Sequence, residues 1–398
     1  MVLLSSIKKR SRSLVQNLNF KSLRIIYISH LHPSVDTPLE NMGGMQRVSM
    51  QLLDVLQQRE DVKVEPIILH ANWKGIGWST TVFLLSLLFK LPGLVRRHQA
   101  DLVVFSSMVS ASLAPLVKVR CKVPMTTINH GLDITLPNRL YQWYVKKVFK
   151  ALDATISVSS ATREECLARG MEPSKAFVIP NGLPDSKPNL SGNKIDLRQK
   201  LERELGIPST LPMILTVGRQ VKRKGHAWFI EQVLPLLDQE TVFVLVGDGP
   251  ENAVLKELSE KNKGISKVIL TGKVEDHLLN ECYAAADLFV MPNIPVAGDM
   301  EGFGVVMIEA NLHGIPVVAT RLEGITDVVE DGKNGYLVEA LNPKELADRI
   351  NELLTGSKAF DAHQISKYVI EKFSWATIVE VYIELFQGLV QSRQTKLT

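Results

Sequence analysis

The sequence predicts an α/β protein: two doubly wound parallel-sheet domains facing each other across a cleft. Three observations carry this. Short runs rich in Val and Ile alternate with helical patterns, as strands buried on both faces do. The alternation occurs in two series. A Pro/Ser/Asn/Gly-rich stretch with no apolar period separates them. At 398 residues the chain can build two cores. Its 45% hydrophobic and 22% charged content is ordinary for a soluble globular protein.

A basic arm, 1–22, opens the chain. It carries Lys8, Lys9, Arg10, Arg12 and Lys21 but no apolar core of signal-peptide length. The first domain, 23–182, reads as strands at Leu23–His30, Val62–His70, Asp101–Ser107, Val123–His130, Ala154–Ser159 and Ala176–Pro180. Helical patterns lie between them, as at Gly44–Gln58 and Leu140–Leu152. The longest greasy run, Val82–Phe89, is far short of a bilayer span and runs on into Lys90-Leu-Pro-Gly-Leu-Val-Arg-Arg. It reads as an interfacial helix on a membrane surface or, the favoured reading, as a buried helix of a Rossmann-type domain. A linker, 183–210, follows. The second domain, 211–374, has strands at Met213–Gly218, Val242–Gly247, Val268–Thr271, Leu288–Met291, Val317–Ala319 and Gly335–Val338. Its helices read at His226–Leu237, Asn252–Asn262, His277–Ala286, Phe303–His313 and Pro343–Leu354. The closing segment, 375–398, holds an amphipathic helix, Trp375–Leu389. In such domains ligands bind at the carboxyl ends of the strands.

Cys121, Cys166 and Cys282 are far apart, odd in number and form no CxxC, which argues against a disulfide framework or a zinc site and for a reducing, cytoplasmic compartment. Charge is split unevenly. Met1–Gly182 holds 23 Lys and Arg against 12 Asp and Glu, a net of +11, whereas Leu183–Thr398 holds 23 against 30, a net of −7. The basic half suits an anionic partner, either anionic lipid at a cytoplasmic membrane face or a phosphorylated acceptor; a merely solvated basic face stays open. No nucleic-acid partner is expected.

The chemistry concentrates in Asp299–Thr320, DMEGFGVVMIEANLHGIPVVAT. Gly302 and Gly304 permit close backbone approach to a ligand. A helix beginning near Phe303 would offer unpaired amides and a positive dipole end to a diphosphate. Glu309, two turns in and about 10 Å along that helix, suits the vicinal hydroxyls of a ribose. Glu301, on the loop, would face what lies beyond the phosphates. The alternative is a buried helix with a solvated acid at each end.

Gly218-Arg219 closes the first strand of the second domain, and Lys224-Gly225 follows in VKRKG. Two cations at a strand end suit a diphosphate; a solvated basic turn is the alternative, and it is the reading taken for Lys222 and Arg223. Gly43-Gly44 precedes a helix and forms a second backbone approach site, or a plain turn. His130-Gly131-Leu132-Asp133 sits where a strand empties into the cleft, so His130 can bond a sugar hydroxyl or a pyrophosphate oxygen; a structural histidine is the alternative, and the flanking glycine and Asp133 favour the functional reading. Gly131, Asp133, Asp248 and Val274 are further candidates bordering the ligand. Gly247-Asp248-Gly249-Pro250 lacks the glycine at Asn252 that a dinucleotide fingerprint needs. Asn181-Gly182 reads as a structural turn at the hinge. HExxH, GxSxG, a Walker lysine loop and Asp-x-Asp are all absent, so phosphate charge falls to Arg219, Lys224 and helix ends, and no metal or other cofactor is expected.

These residues resemble the retaining GT-B glycosyltransferases of family 4, the group-1 glycosyltransferases. The carriers, in family order, are GGMQR at Gly43, HGLD at His130, VIPNG at Val178, TVGRQVKRKG at Thr216, VGDGP at Val246 and EGFGVVMIEA at Glu301. GIPVVAT, GITDVVEDGKNGYLV and FSW at Phe373 add support. The resemblance implies that Arg219 and Lys224 hold the donor diphosphate, with Gly43, Gly44 and the amides near Phe303 and Gly304. It implies that Glu309 takes the ribose, Glu301 the donor sugar and His130 the transferred sugar near the reaction centre. It also implies that the last helix packs back on the first domain, that this domain binds a lipid-linked or saccharide acceptor, and that a UDP- or GDP-linked hexose or N-acetylhexosamine is transferred with retention. The segment PNIPVAGDM before Glu301 is longer than in many relatives. Two other readings remain: a non-hydrolysing nucleotide-sugar epimerase on the same scaffold, and a non-catalytic membrane-surface protein.

Overall fold

The computed structural model describes residues 22–33, 43–71, 75–187, 190, 192–261 and 266–395. Apart from Ser22, the basic arm lies outside the described residues. Contacts divide the chain into two units: Met1–Val158, Thr162–Gly182 and Trp375–Thr398 form one, and Ser159–Ala161 with Leu183–Ser374 form the other.

The first unit is built on six strands, β1 (Leu23–His32), β2 (Val62–His70), β3 (Leu102–Phe105), β4 (Met125–Asn129), β5 (Ala154–Ser157) and β6 (Ala176–Val178). They run parallel in the order β2-β1-β3-β4-β5-β6. Connecting helices are α1 (Gly44–Gln57), α2 (Ile76–Arg97), α3 (Met108–Ala111), α4 (Ala114–Cys121), α5 (Leu132–Thr135), α6 (Arg139–Ala151) and α7 (Ser160–Ala168). The chain reverses direction at β1. Right-handed crossovers therefore place α1 on one face of the sheet and α2, α4 and α6 on the other. The core under that second layer joins Ile26, Ile28, Val103 and Phe105 of the strands to Leu87, Leu91 and Val95 of α2, Val117 of α4 and Val148 of α6.

The run Val82–Phe89, favoured from sequence as a buried helix, is the middle of the 22-residue α2. Only the inner face of α2 is buried: Leu87, Leu91 and Val95 point into the core, whereas Trp78, Val82, Leu85 and Phe89 are exposed. By length and composition α2 could cross a membrane. Its packing on the sheet holds it as a surface layer of this unit instead.

The second unit repeats the plan with β7 (Met213–Val217), β8 (Val242–Val246), β9 (Lys267–Gly272), β10 (Leu288–Met291), β11 (Val317–Thr320) and β12 (Gly335–Val338). All are parallel, in the order β12-β11-β10-β7-β8-β9. Its helices are α8 (Lys194–Leu205), α9 (His226–Trp228), α10 (Asn252–Lys261), α11 (Asp276–Ala285), α12 (Val305–Leu312), α13 (Pro343–Leu354) and α14 (Ala362–Phe373).

Two segments differ from the sequence expectation. The linker expected over 183–210 contains α8. Asn193 caps it through a reciprocal capping box with Asp196, Gly206 closes it at φ +68°, and Leu197 and Leu201 bury its inner side. The helix expected over His226–Leu237 is broken. The single turn of α9 widens into a π turn at Phe229–Val233 and tightens into a 3-10 turn at Leu234–Leu236, where Pro235 lacks an N–H to continue the ladder.

The last helix, α15 (Trp375–Thr395), belongs to the first unit, as expected. Trp375 Nε1 donates to Gln51 Oε1 of α1 at 3.1 Å, Glu380 pairs with Arg59, and Tyr382 is fully buried. Gly182 has a packing reason: a Cβ there would lie 2.3 Å from the Trp375 indole. The three cysteines are free and buried.

Candidate functional site

In the second unit the chain reverses between β7 and β10, adjacent strands whose carboxyl ends therefore open a crevice. After β7 come Gly218, the exposed Arg219, and a turn at Lys222–Lys224 closed by Gly225 at φ +66°. A Cβ on Gly225 would sit 1.9 Å from the Pro292 carbonyl oxygen, just beyond β10. Glycine here thus lets the turn press against the end of the neighbouring strand. That contact buries Lys224 and brings Nζ to 2.7 Å from Glu301 Oε2.

Glu301 is the hub. Besides Lys224, its Oε2 accepts from Arg223 Nη1 at 2.9 Å and from Asn293 Nδ2 at 3.2 Å. Arg223 Nε also donates to Asp299 Oδ1 at 2.9 Å. The sequence reading of Arg223 as a solvated basic turn is therefore wrong: the guanidinium forks across two loop carboxylates. Glu323 accepts the Glu301 backbone N–H, and Gly324 N–H donates to the Glu301 carbonyl, so the loop is braced from behind.

Burial alone would raise the Glu301 pKa, but Lys224 and Arg223 outweigh it and hold the carboxyl below its ordinary value. Lys224 is itself lowered by burial, because one carboxylate shared with Arg223 returns only part of its lost hydration. All three donors converge on Oε2. Among the described residues no hydrogen bond uses Oε1, which leaves an ionised acceptor oxygen for a ligand hydroxyl. Arg219 enters none of the ion pairs among the described residues.

The helix after this loop starts at Val305, two residues later than the sequence suggests. Gly304 precedes it at φ +82° with no side-chain cap. Glu309 is consequently one turn in, about 6 Å along the axis rather than about 10 Å. It is half-buried and accepts from the Tyr283 hydroxyl at 2.9 Å. The Phe303 ring is buried against Phe373, 5.8 Å between centroids, so only its backbone remains for a ligand. Asp248 is exposed and accepts from the Gly249 N–H. Gly247 and Gly249 serve a loop-to-loop contact, since Cβ atoms there would meet Gly218 O at 2.0 Å and Gln220 O at 2.5 Å. Val274 is half-buried in the loop after β9, which lies two strands from β7.

In the first unit, Gly43 is the N-cap of α1 without a side-chain cap, and open space surrounds Gly44. His130 follows β4; its Nε2 lies 3.0 Å from the Ser106 carbonyl. A carbonyl only accepts, so this contact assigns the proton to Nε2 and leaves Nδ1 as an acceptor. Burial lowers the pKa of His130 and keeps the ring neutral. Asp133 is structural. Its oxygens accept the N–H groups of His130 at 2.8 Å and Met108 at 3.1 Å, tying the β4 loop to α3. Gly131 turns this loop at φ +103°. Sequence reasoning passed over His30, which ends the β1 run beside His130. Its Nδ1 is 3.3 Å from Ser107 Oγ, and burial with His130 nearby pushes its pKa down to about 4. The available signal was that three of the first four strand runs end in histidine, at positions 30, 70 and 130.

Two parallel doubly wound sheets, the second ending in a cationic switch-point crevice with an ionised acid at its centre, have the architecture of the GT-B class. Comparison with known proteins agrees. The family described as "Glycosyl transferases group 1" matches residues 211–356, and "Glycosyltransferase Family 4" matches residues 58–187. An uncharacterised glycosyltransferase of Methanocaldococcus jannaschii is 28% identical over 67% of this chain and 70% of its own length. A GDP-mannose-dependent alpha-(1-6)-phosphatidylinositol monomannoside mannosyltransferase of Mycolicibacterium smegmatis is 26% identical over 77% of this chain and 81% of its own. The crystal structure of Anabaena HepE, in complex with UDP and glucose, superposes with a TM-score of 0.68 at 20% identity, covering 92% of this chain and all of that one. The chain belongs to glycosyltransferase family 4, the group-1 glycosyltransferases, and transfers sugar from a nucleotide-sugar donor. This decides for the transferase over the epimerase and the non-catalytic reading.

Proposed function

We propose that the enzyme moves a hexose or N-acetylhexosamine from a UDP- or GDP-linked donor to a lipid-linked or saccharide acceptor, with retention and without a metal. The second unit takes the nucleotide. Arg219 and Lys224 meet the diphosphate with the amides at the start of α12, Glu309 accepts from the ribose, and Glu301 Oε1 accepts from a sugar hydroxyl. In the first unit, the α1 amino end at Gly43-Gly44 offers backbone N–H groups to an anionic ligand, and the neutral Nδ1 of His130 is an acceptor for a sugar hydroxyl. The acceptor hydroxyl attacks on the leaving-group face. Fixed cations and amides stabilise the departing diphosphate, a contribution worth about 100-fold or more per donor group.

The observation that carries this reading is the convergence of three donors on one oxygen of Glu301, which holds the carboxylate ionised and its other oxygen open. We further propose a cytoplasmic location, which suits the three free cysteines. The test is a panel of nucleotide sugars assayed for release of nucleoside diphosphate with a chelator present, with the product's anomeric configuration read by NMR. Release with retained configuration supports the proposal. Dependence on added metal, or inversion, would reject the corresponding part.

A further inference from the structure

The layer formed by α2, α4 and α6 has an outer surface unlike the rest of the molecule. Helix α4 packs against both α2 and α6, so the three lie side by side. Among the described residues, eight of the thirteen exposed large hydrophobic side chains lie on these helices. Trp78, Val82, Leu85 and Phe89 recur at steps of four, three and four along α2, a single stripe with Trp78 and Phe89 75% and 74% exposed. Leu116 and Val119 continue it on α4, and Leu140 and Trp143 on α6. Beside Trp143 is a shallow hollow of about 690 Å³ lined by Leu136, Pro137, Leu140, Tyr141, Trp143 and Tyr144.

Charge on this layer is of one sign. The three helices carry nine Lys and Arg and no Asp or Glu. Lys90, Arg96, Arg97, Arg120, Arg139, Lys146, Lys147 and Lys150 are exposed. Lys147 lies over the Trp143 ring, 3.8 Å from its centroid.

We propose that the α2–α4–α6 face docks flat on a bilayer containing anionic phospholipid. Apolar side chains would enter the headgroup–acyl boundary, the aromatic rings would sit at headgroup level, and the surrounding cations would meet lipid phosphates. The attachment is monotopic, since the opposite side of α2 stays in the core through Leu87, Leu91 and Val95. A second copy of the chain is the wrong occupant, because pairing this face with itself would oppose eight exposed cations to eight. The inference does not depend on the transfer reaction.

The test is flotation of the full-length protein with vesicles of phosphatidylcholine, with and without phosphatidylglycerol. The wild type is expected to float with mixed vesicles and much less with pure phosphatidylcholine. Trp78→Ser with Phe89→Ser should lower partitioning by about tenfold or more per side chain at any salt. Lys146→Glu with Lys147→Glu should lower it by about tenfold or more at low salt and little at high salt. Unchanged melting temperatures would show that both variants fold. Failure of the wild type to float would overturn the proposal. So would flotation untouched by either pair of substitutions, or a concentration-dependent dimer abolished by the apolar pair.

Discussion

Arg223 is the residue whose role the structure changes most, and its removal makes a sharp prediction. Its guanidinium donates to Asp299 and Glu301 at 2.9 Å each, and the Glu301 side chain is only 10% exposed. Asp299 is a third exposed, so its bond contributes no more than about 1 kcal/mol. The charge-assisted bond to buried Glu301 is worth about 2 kcal/mol. Arg223→Ala leaves Glu301 with Lys224 and Asn293, so the fold should survive, but the carboxylate loses half its cationic hold and its fixed rotamer. The expected cost is about 30-fold in kcat/KM for the sugar nucleotide. Arg223 acts through Glu301, so affinity for the free nucleoside diphosphate should stay within about threefold of wild type. In a Glu301→Gln background the same substitution should add little. Steady-state kinetics and diphosphate titrations on the four proteins of that cycle make the test. Full additivity with Glu301→Gln, or a wild-type rate for Arg223→Ala, would refute the positioning role.

Three further outcomes follow from the same geometry. Glu309→Ala should weaken the free nucleoside diphosphate and the sugar nucleotide alike, by about 10- to 100-fold in calorimetric titrations; loss confined to the sugar nucleotide would contradict a ribose contact. Gly225→Ala combines a left-handed backbone with a 1.9 Å clash on Pro292 O, and thermal unfolding should show a loss of about 2–4 kcal/mol. His226 is fully buried, and burial with Lys224 and Arg223 nearby pushes its pKa from 6.5 to about 3. The folded chain refuses a proton that the unfolded chain takes up below 6.5. His226 therefore lowers stability as pH falls from 6.5 towards 3, by about 1.4 kcal/mol per pH unit. His226→Gln should narrow its stability deficit against wild type between about pH 7 and about pH 5 in denaturant unfolding, whereas a constant gap would contradict this sign.

The twelve strands among the described residues were legible because a strand buried on both faces leaves a short run of Val, Ile and Leu between turn residues, as LRIIYISH and VFVLV do. The loop–helix motif at Glu301 was legible because its glycines and acids are adjacent in sequence. The ion pairs of Arg223 with Asp299 and Glu301 were not, since they span 76 and 78 residues and exist only because the chain reversal sets β7 beside β10. The start of α12 slipped by two residues because Gly304 takes a positive φ that its neighbours do not signal. Helix α8 was hidden in a stretch rich in loop-forming residues, whose Asn193 and Gly206 are in fact its caps. The two-sided character of α2 was invisible to hydropathy alone, which counts apolar residues without saying which the sheet covers.

The central claim is that the switch-point crevice of the second unit holds the diphosphate by fixed cations while Glu301 holds the sugar. Calorimetric titration of UDP and GDP, and of their sugar conjugates, into wild type, Lys224→Ala and Glu301→Gln tests it most directly. The account predicts that Lys224→Ala weakens every ligand by about 100-fold, while Glu301→Gln spares the free diphosphates and impairs only the sugar-bearing ones. Wild-type affinity of a folded Lys224→Ala protein for the free diphosphate it binds best would contradict it.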